Sequence, residues 1–295
     1  MKFSRKFALG TAQIGLNYGV SNRQGKPDEA AAIDILCAAC HHGVSWFDTA
    51  QAYGDSEALI GKFRNAYPDE ARSVKIATKI GDCNKISSAE LRFMIERSLE
   101  RLGCSKLDLL MLHDEETINQ SDFLELLEEQ VQAKRVSRVG VSIYSPHYAF
   151  KALENPLINV IQVPLNLFDY RLIKGDFFNH AHQCKKSVFT RSIYLQGLLL
   201  MDPNLAPKVV GAKDAIIQID TFCREHSLER DLFCLAWASY HAPHAIPIMG
   251  ADNVDQVKRN AKLLDLVSTV SPRIIRQWDQ SVSLPHPDLI HPPAW

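Results

Sequence analysis

The sequence lacks any stretch of roughly 18 uncharged apolar residues, the least that a membrane-crossing helix needs. It also lacks an excess of one charge: 33 Lys+Arg against 34 Asp+Glu leave a net charge of −1. That balance gives no electrostatic support to nucleic acid or an anionic membrane as partner. The first 15 residues, MKFSRKFALGTAQIG, carry charges but no apolar h-region, so no secretory signal is read there and a cytoplasmic location is expected. Cysteine is sparse and odd in number, seven in 295 residues, which fits free thiols in a reducing compartment better than a disulfide framework. Cys37-Ala-Ala-Cys40-His41 has the spacing of a c-type haem attachment site, but the surrounding AAAIDILCAACHHG reads as a helix capped by Asp28 and stopped by Gly43. A Gly-x-Gly-x-x-Gly turn, the usual sign of a nucleotide site on an open doubly wound sheet, is missing too. No low-complexity segment or linker divides the chain.

What is present is a rhythm. Eight short apolar runs recur between helical stretches: Phe7–Thr11, Val44–Asp48, Val74–Lys79, Leu107–His113, Val136–Ser142, Ile158–Val163, Val188–Ser192 and Ala245–Gly250. Most are continuous rather than alternating, as expected of parallel strands covered by helices. Between them, Ser87-Ser-Ala-Glu90 has the form of a capping box, followed by apolar residues at helical spacing up to Gly103. Residues 122–134, 229–241 and 253–264 read as further helices. With 46% hydrophobic residues over 295 positions, the pattern predicts a (β/α)₈ TIM barrel as one domain over 1–295, with cofactor and substrate at the C-terminal rim. A Pro- and His-rich tail from about residue 266 is expected to pack on the barrel or shape its pocket. The alternative is an open sheet.

Barrel enzymes draw their sites from the C-terminal ends of the strands and the loops beyond. Asp48 ends the second run, with Tyr53 five residues on in its loop; Lys79 ends the third and His113 the fourth. Singly these read as a turn cap, a packed ring, a solvated charge and a core histidine. Together they form one device. A free phenol has a pKa of about 10, and bringing it near neutrality takes about 3–4 kcal/mol of preference for the phenolate. One ammonium at ~4 Å supplies about 4 kcal/mol at an effective dielectric of ~20. Lys79 is the candidate for that charge, Asp48 for keeping Lys79 protonated, and His113 for orienting a carbonyl oxygen. The set suits protonation of an oxygen while hydride arrives at its carbon better than it suits a metal site or a nucleophile triad.

On these four residues, and on the stretches LGTAQIG, FDTAQAYG, IATKI, LMLH, GVS, QVPLN and GADNVDQVKRN, the chain resembles the aldo-keto reductases over roughly residues 7–265. The resemblance implies that Tyr53 is the proton donor, that Asp48 and Lys79 tune it, and that His113 positions the carbonyl. It implies a nicotinamide dinucleotide extended across the barrel mouth without a Rossmann domain. Ser142 and Gln162 match its amide contacts, with Ile143 where the family often has Asn. Arg191 stands where an aromatic ring is usual beneath the nicotinamide, and Tyr194 is an alternative ring. Ser192, Leu195, Gln196 and Gly197 match the pyrophosphate loop; Gly250 and Ala251 would lie against the adenosine phosphate, and Gln256 and Asn260 at the adenine end. Asp252 replaces a frequent arginine, so the family default is NADP while the local residue points to NAD. The alternative reading of Asp252 is as the cap of the last helix, and Lys258 and Arg259 remain within range of a phosphate.

The expected activity is an NAD(P)(H)-dependent interconversion of a carbonyl (aldehyde, ketone or sugar) with an alcohol, with no metal, by a monomer or small homo-oligomer. Loops set the substrate; Tyr18, Trp46 and the tail are pocket candidates, and a polar pocket would favour a sugar-like or nucleotide-linked substrate. Two rivals are a nicotinamide-sensing subunit resembling potassium-channel β subunits, and a barrel isomerase using His113 and Lys79.

Overall fold

The structure, a computed structural model, describes residues 6–81, 87–284 and 286–291. Strands β1 (Ala8–Gly10), β2 (Trp46–Asp48), β3 (Lys75–Ile80), β4 (Leu109–Leu112), β5 (Val139–Ser142), β6 (Ile158–Pro164), β7 (Ser187–Arg191) and β8 (Ile246–Gly250) pair in parallel in chain order. β8 closes on β1, and the eight-stranded barrel is complete. Helices occupy the crossovers, among them Glu29–His41, Ser56–Ala66, Ser88–Arg101, Ser121–Gln132, Pro146–Glu154, Arg230–His241 and Val254–Leu266.

Local chemistry sets the helix ends. Asp28 accepts a hydrogen bond from Ala31 N at 2.8 Å and starts the helix that carries Cys37 and Cys40, both free thiols. The capping box of Ser87 and Glu90 is formed in both directions. The strands are shorter than the apolar runs that announce them. Phe7, Val44, Val74, Leu107 and Val136 are buried but lie outside the strands, and Leu107 and Val136 meet only in an isolated bridge. Burial selects apolar residues, whereas strand assignment needs a continued hydrogen-bond ladder. The two signals part at the lower end of the barrel.

Within each strand the side chains alternate between faces. Ala8, Trp46, Ala77, Leu109, Met111, Val160 and Phe189 fill the barrel interior, while Leu9, Phe47, Leu110, Val141 and Ile161 belong to the layer under the helices. Two residues further along the inward rows stand Gly10, Asp48, Lys79, Ser142, Gln162, Arg191 and Gly250. The same parity corrects the expectation for Trp46. It lies one inward position below Asp48, about 6–7 Å down the strand, with its ring against Phe189 and near Lys75 and Arg138. Trp46 is interior filling and does not line the substrate pocket.

The Pro-rich end holds a helix, Pro272–Ser281, that the proline and histidine content conceals. Ser271 caps it, accepting from Arg273 N, and Pro272 sits at its first turn, where a missing N–H costs nothing. Asp279 accepts from Tyr170 Oη and Trp237 Nε1, both at 2.7 Å, and lies 3.0 Å from His241 Nε2. Buried Trp278 donates to Leu167 O at 3.2 Å. Beyond it, buried Leu289 anchors the chain and the His291 ring meets Tyr144 edge-on at 5.2 Å. Tail residues 285 and 292–295 lie outside the described residues. No described helix is long and apolar enough to cross a membrane.

Candidate active site

The strand ends deliver one continuous hydrogen-bonded chain. Lys79 Nζ, fully buried, donates to Asp48 Oδ2 at 2.7 Å and to Thr49 O at 3.0 Å. Asp48 Oδ1 accepts from Gln162 Nε2 at 2.8 Å, and Gln162 Oε1 accepts from Ser142 Oγ at 3.3 Å. Side chains from β2, β3, β5 and β6 are thus locked in sequence, and both Asp48 oxygens are used. Lys79 Nζ also lies 5.0 Å from the centre of the Tyr53 ring, and the Tyr53 and His113 rings meet edge-on at 6.1 Å.

The loop that holds Tyr53 is fixed at its base. Thr49 Oγ1 donates to Ser56 Oγ, Ser56 Oγ to Thr11 Oγ1, and Thr11 Oγ1 to Asp48 O, at 2.9, 2.7 and 2.9 Å. Gly15 packs so closely that a Cβ there would come within 1.9 Å of Tyr53 O. Any side chain at that position would push the tyrosine loop away from the rim.

The charges do not follow the simple expectation. The Tyr53 phenol is held above its ordinary pKa, first by burial and then by the Asp48 carboxylate, with Arg191 opposing. Lys79 is pushed down by burial, against the pull of Asp48. The ammonium expected to acidify the phenol is directed at Asp48, and desolvation of a phenolate outweighs what remains. His113 falls to about 4 through burial, then Lys79 and Arg191, so it is a neutral imidazole at pH 7 with one N–H to donate.

A cleft of about 330 Å³ runs from these residues across β7 to β8. Asp48, Tyr53, His113, Ser142, Gln162, Arg191, Ser192, Tyr194, Gln196, Gly197, Gly250, Asp252, Gln256 and Asn260 all line it; Lys79 lies buried beneath. Leu195 and Ala251 do not. Their side chains are buried in the core, and each takes part only through the backbone that carries its neighbours. Tyr18 lines the cleft as expected.

The loop after β7 is strained in a useful way. Ser192, Leu195, Gln196 and Gly197 have φ of 61°, 46°, 55° and 88°. Left-handed residues within a turn bring main-chain N–H groups to one side, as in the nests that hold anions. Gly197 has to be glycine twice over, since a Cβ would also meet Ser21 Oγ at 1.9 Å. At the β8 end, Asn253 rather than Asp252 caps the helix Val254–Leu266, accepting from Gln256 N at 2.9 Å. Asp252 Oδ2 accepts from Gln256 Nε2 at 3.3 Å, and buried Oδ1 has no partner. A nest in mid-cleft, the hydrogen-bonded Ser142–Gln162 pair at one end and an orphaned acceptor at the other together fit an extended dinucleotide.

Several lining residues escape sequence reasoning. Tyr144, two positions beyond Ser142, lies under the Arg191 guanidinium, 3.9 Å from its ring centre. Its parity with Ser142 would have been the signal. Gln13, Ser21, Asn22 and Asp231 also line the cleft, from loops or helix starts with no strand-end signal, as does Arg259, which the sequence placed within range of a phosphate.

The closed barrel, with this rim and cleft, defines a barrel oxidoreductase of the kind that takes a nicotinamide cofactor. The chain matches the aldo/keto reductase family model over residues 6–282, and it belongs to that family. It is 24% identical over 310 residues to D-arabinose 1-dehydrogenase of Saccharomyces cerevisiae, covering 90% of this chain and 91% of that protein. It is 21% identical to the NADH-specific methylglyoxal reductase of Escherichia coli, covering 94% and 95%. Among solved structures it is similar to the glycerol dehydrogenase of Gluconobacter oxydans, with TM-score 0.74, 25% identity and 95% and 91% of the chains covered. A Klebsiella pneumoniae aldo/keto reductase, solved with NADP and acetate, matches in fold with TM-score 0.69 at 22% identity over 94% and 91%. The protein is an NAD(P)H-dependent oxidoreductase that interconverts carbonyl and alcohol.

Proposed function

We propose that Tyr53 is the general acid of a small-carbonyl reductase working with NAD(H), and that His113, Lys79 and Asp48 position substrate and acid. The observation that carries this reading is the buried Lys79–Asp48 pair beneath the Tyr53 ring, at the end of the cleft of about 330 Å³. When bound, the nicotinamide supplies or accepts the hydride. Neutral His113 donates its N–H to the carbonyl oxygen and holds it near Tyr53 Oη. As charge builds on that oxygen it becomes an alkoxide, far more basic than a phenolate, and Tyr53 gives up its proton. A phenol held above its ordinary pKa therefore serves reduction, because it keeps its proton until the alkoxide demands it. The Asp48–Lys79–Gln162 chain keeps the acid and the amide contacts in register.

For the cofactor, the cations near the adenosine end support NAD over NADP. Arg259 is engaged by Asp231, at 2.8 and 3.0 Å, and by Glu229; Lys258 pairs with Asp255. Asp252 presents a carboxylate that suits ribose hydroxyls and repels a 2′-phosphate. The NADH-specific Escherichia coli relative is consistent with this, whereas the Klebsiella protein was solved with NADP. The polar cleft walls and the sugar and polyol activities named for the yeast and Gluconobacter proteins support a small polar substrate. The chain would work as one barrel unit, with the segment after Leu266 packed on it, in the cytosol.

Fluorescence titration with NADH and NADPH tests the reading directly. NADH should bind at least about tenfold more tightly, a difference of ~1.4 kcal/mol. Tighter NADPH binding would overturn the cofactor assignment, and binding of neither would overturn the function.

A further inference from the structure

We propose that Arg191, held over the Tyr144 ring, forms an anion subsite beside Tyr53 and His113, and that the substrate is a carbonyl compound bearing a carboxylate or phosphate. This deepens the oxidoreductase reading and rests on it.

Arg191 ends β7 and points inward, but its head does not stay over its own strand. The guanidinium crosses the end of β6 to reach β5, where Nη2 donates to Ile143 O at 3.2 Å and the plane packs 3.9 Å from the Tyr144 ring centre. Its remaining protein contact is a long one, Nη1 to Ser192 Oγ at 3.5 Å. Among the described residues no carboxylate lies within ion-pair range of it. The other arginine of the cleft wall, Arg259, is neutralised by Asp231 and Glu229.

The neighbouring groups do not neutralise it either. Asp48 and Lys79 cancel one another, His113 is neutral, and the Tyr53 phenol keeps its proton. The reacting end of the cleft therefore carries one net positive charge. Holding an uncompensated guanidinium half-buried is costly unless a ligand supplies the counter-charge. The guanidinium carbon sits over the Tyr144 ring, and Nε–H has no partner among the described residues, which leaves a donor for a carboxylate or phosphate. The anion has two possible sources, the substrate and the cofactor's own pyrophosphate. The substrate is favoured because the head lies on the β5 side, towards Tyr53 and His113, whereas the nest at Ser192–Gly197 lies beyond β7 towards β8.

Matched substrate pairs separate the sources: 4-oxobutanoate against butanal, and glyceraldehyde 3-phosphate against glyceraldehyde, each with NADH. In at least one pair the anionic member should have the higher kcat/KM by about tenfold or more, and Arg191→Gln should cut that ratio about tenfold, with Arg191→Lys retaining more of it. The ratio is the readout, whatever the variants do to both rates in common. A ratio near one in both pairs overturns the proposal. So does a ratio unchanged in Arg191→Gln while NADH binding weakens, since the cation would then serve the pyrophosphate. Calorimetric titration of succinate and of inorganic phosphate into the NADH-saturated protein needs no turnover. One of them should bind, and more weakly to Arg191→Gln; binding of neither overturns the subsite. Failure of all four compounds to oxidise NADH counts against the parent reading alone.

Discussion

Strand β3 sends two neighbouring side chains into two buried polar networks on opposite faces of the barrel. Inward, Lys79 joins Asp48, Gln162 and Ser142. Outward, Thr78 donates to Glu57 Oε1 at 2.6 Å, Ser98 donates to the same oxygen at 2.7 Å, and Gln51 Nε2 donates to Ser98 and to Met94 O. Each network centres on one buried acid, and each touches the loop from residue 49 to 57. They differ in what they open onto. The inner chain borders the cleft, and burial pushes its Lys79 below the ordinary lysine range. The outer one is sealed between β3 and the helices Ser56–Ala66 and Ser88–Arg101, with Arg101 3.6 Å from Glu57 Oε2. The same residue types build a reaction site on one face and a brace on the other, and access to the cleft separates them.

Substitutions on the two faces should therefore fail differently. Tyr53→Phe should lower kcat by about 10²–10⁴-fold, the usual size for a lost general acid, with NADH affinity and thermal stability close to wild type. Wild-type turnover in that variant would end the proposed mechanism. Glu57→Ala leaves Thr78 and Ser98 without their acceptor and Arg101 without its ion-pair partner, and should destabilise the fold by roughly 2–3 kcal/mol in denaturant titration. Its kcat, measured where the protein is folded, should fall by less than about tenfold. If instead kcat collapses at unchanged stability, the outer network takes part in the reaction and the contrast between the faces fails. The smallest effect is expected at the far end of the cleft. Asp252→Arg should move the NADH-to-NADPH affinity ratio about tenfold towards NADPH, the worth of one exposed-to-half-buried charge pair of ~1.4 kcal/mol. An unchanged ratio would show that Asp252 takes no part in ribose recognition.

Much of the inner face is legible in the sequence because strand-end position and side-chain parity are local properties. Asp48, Lys79 and His113 follow from them, and Tyr53 follows from its spacing to Asp48. The link from Gln162 to Asp48 spans 114 residues and depends on barrel closure, so no local pattern contains it. Arg191 could be placed at the rim, but its partner Tyr144 depends on which way a long side chain lies. The direction of the Tyr53 shift was misjudged for a related reason. Counting charges gives the attraction of Lys79, whereas the result depends on desolvation and on where the ammonium points. Trp46 shows the opposite failing: an aromatic near a site residue in sequence can lie a full layer below it. The helix Pro272–Ser281 is obscured by a proline at its start and by the prolines that follow its end.

The central claim is that Tyr53, and no group of lower pKa, exchanges the proton. The pH dependence of kcat for alcohol oxidation tests it most directly, because that direction needs the phenolate. With Tyr53 held above its ordinary pKa, the phenolate is scarce at neutral pH and its fraction grows about tenfold per pH step below the pKa. The rate should climb steadily from pH 7 past pH 9 in the wild type, and stay low without that climb in Tyr53→Phe. A wild-type rate that levels off below pH 8 would assign the proton to another group and contradict the account.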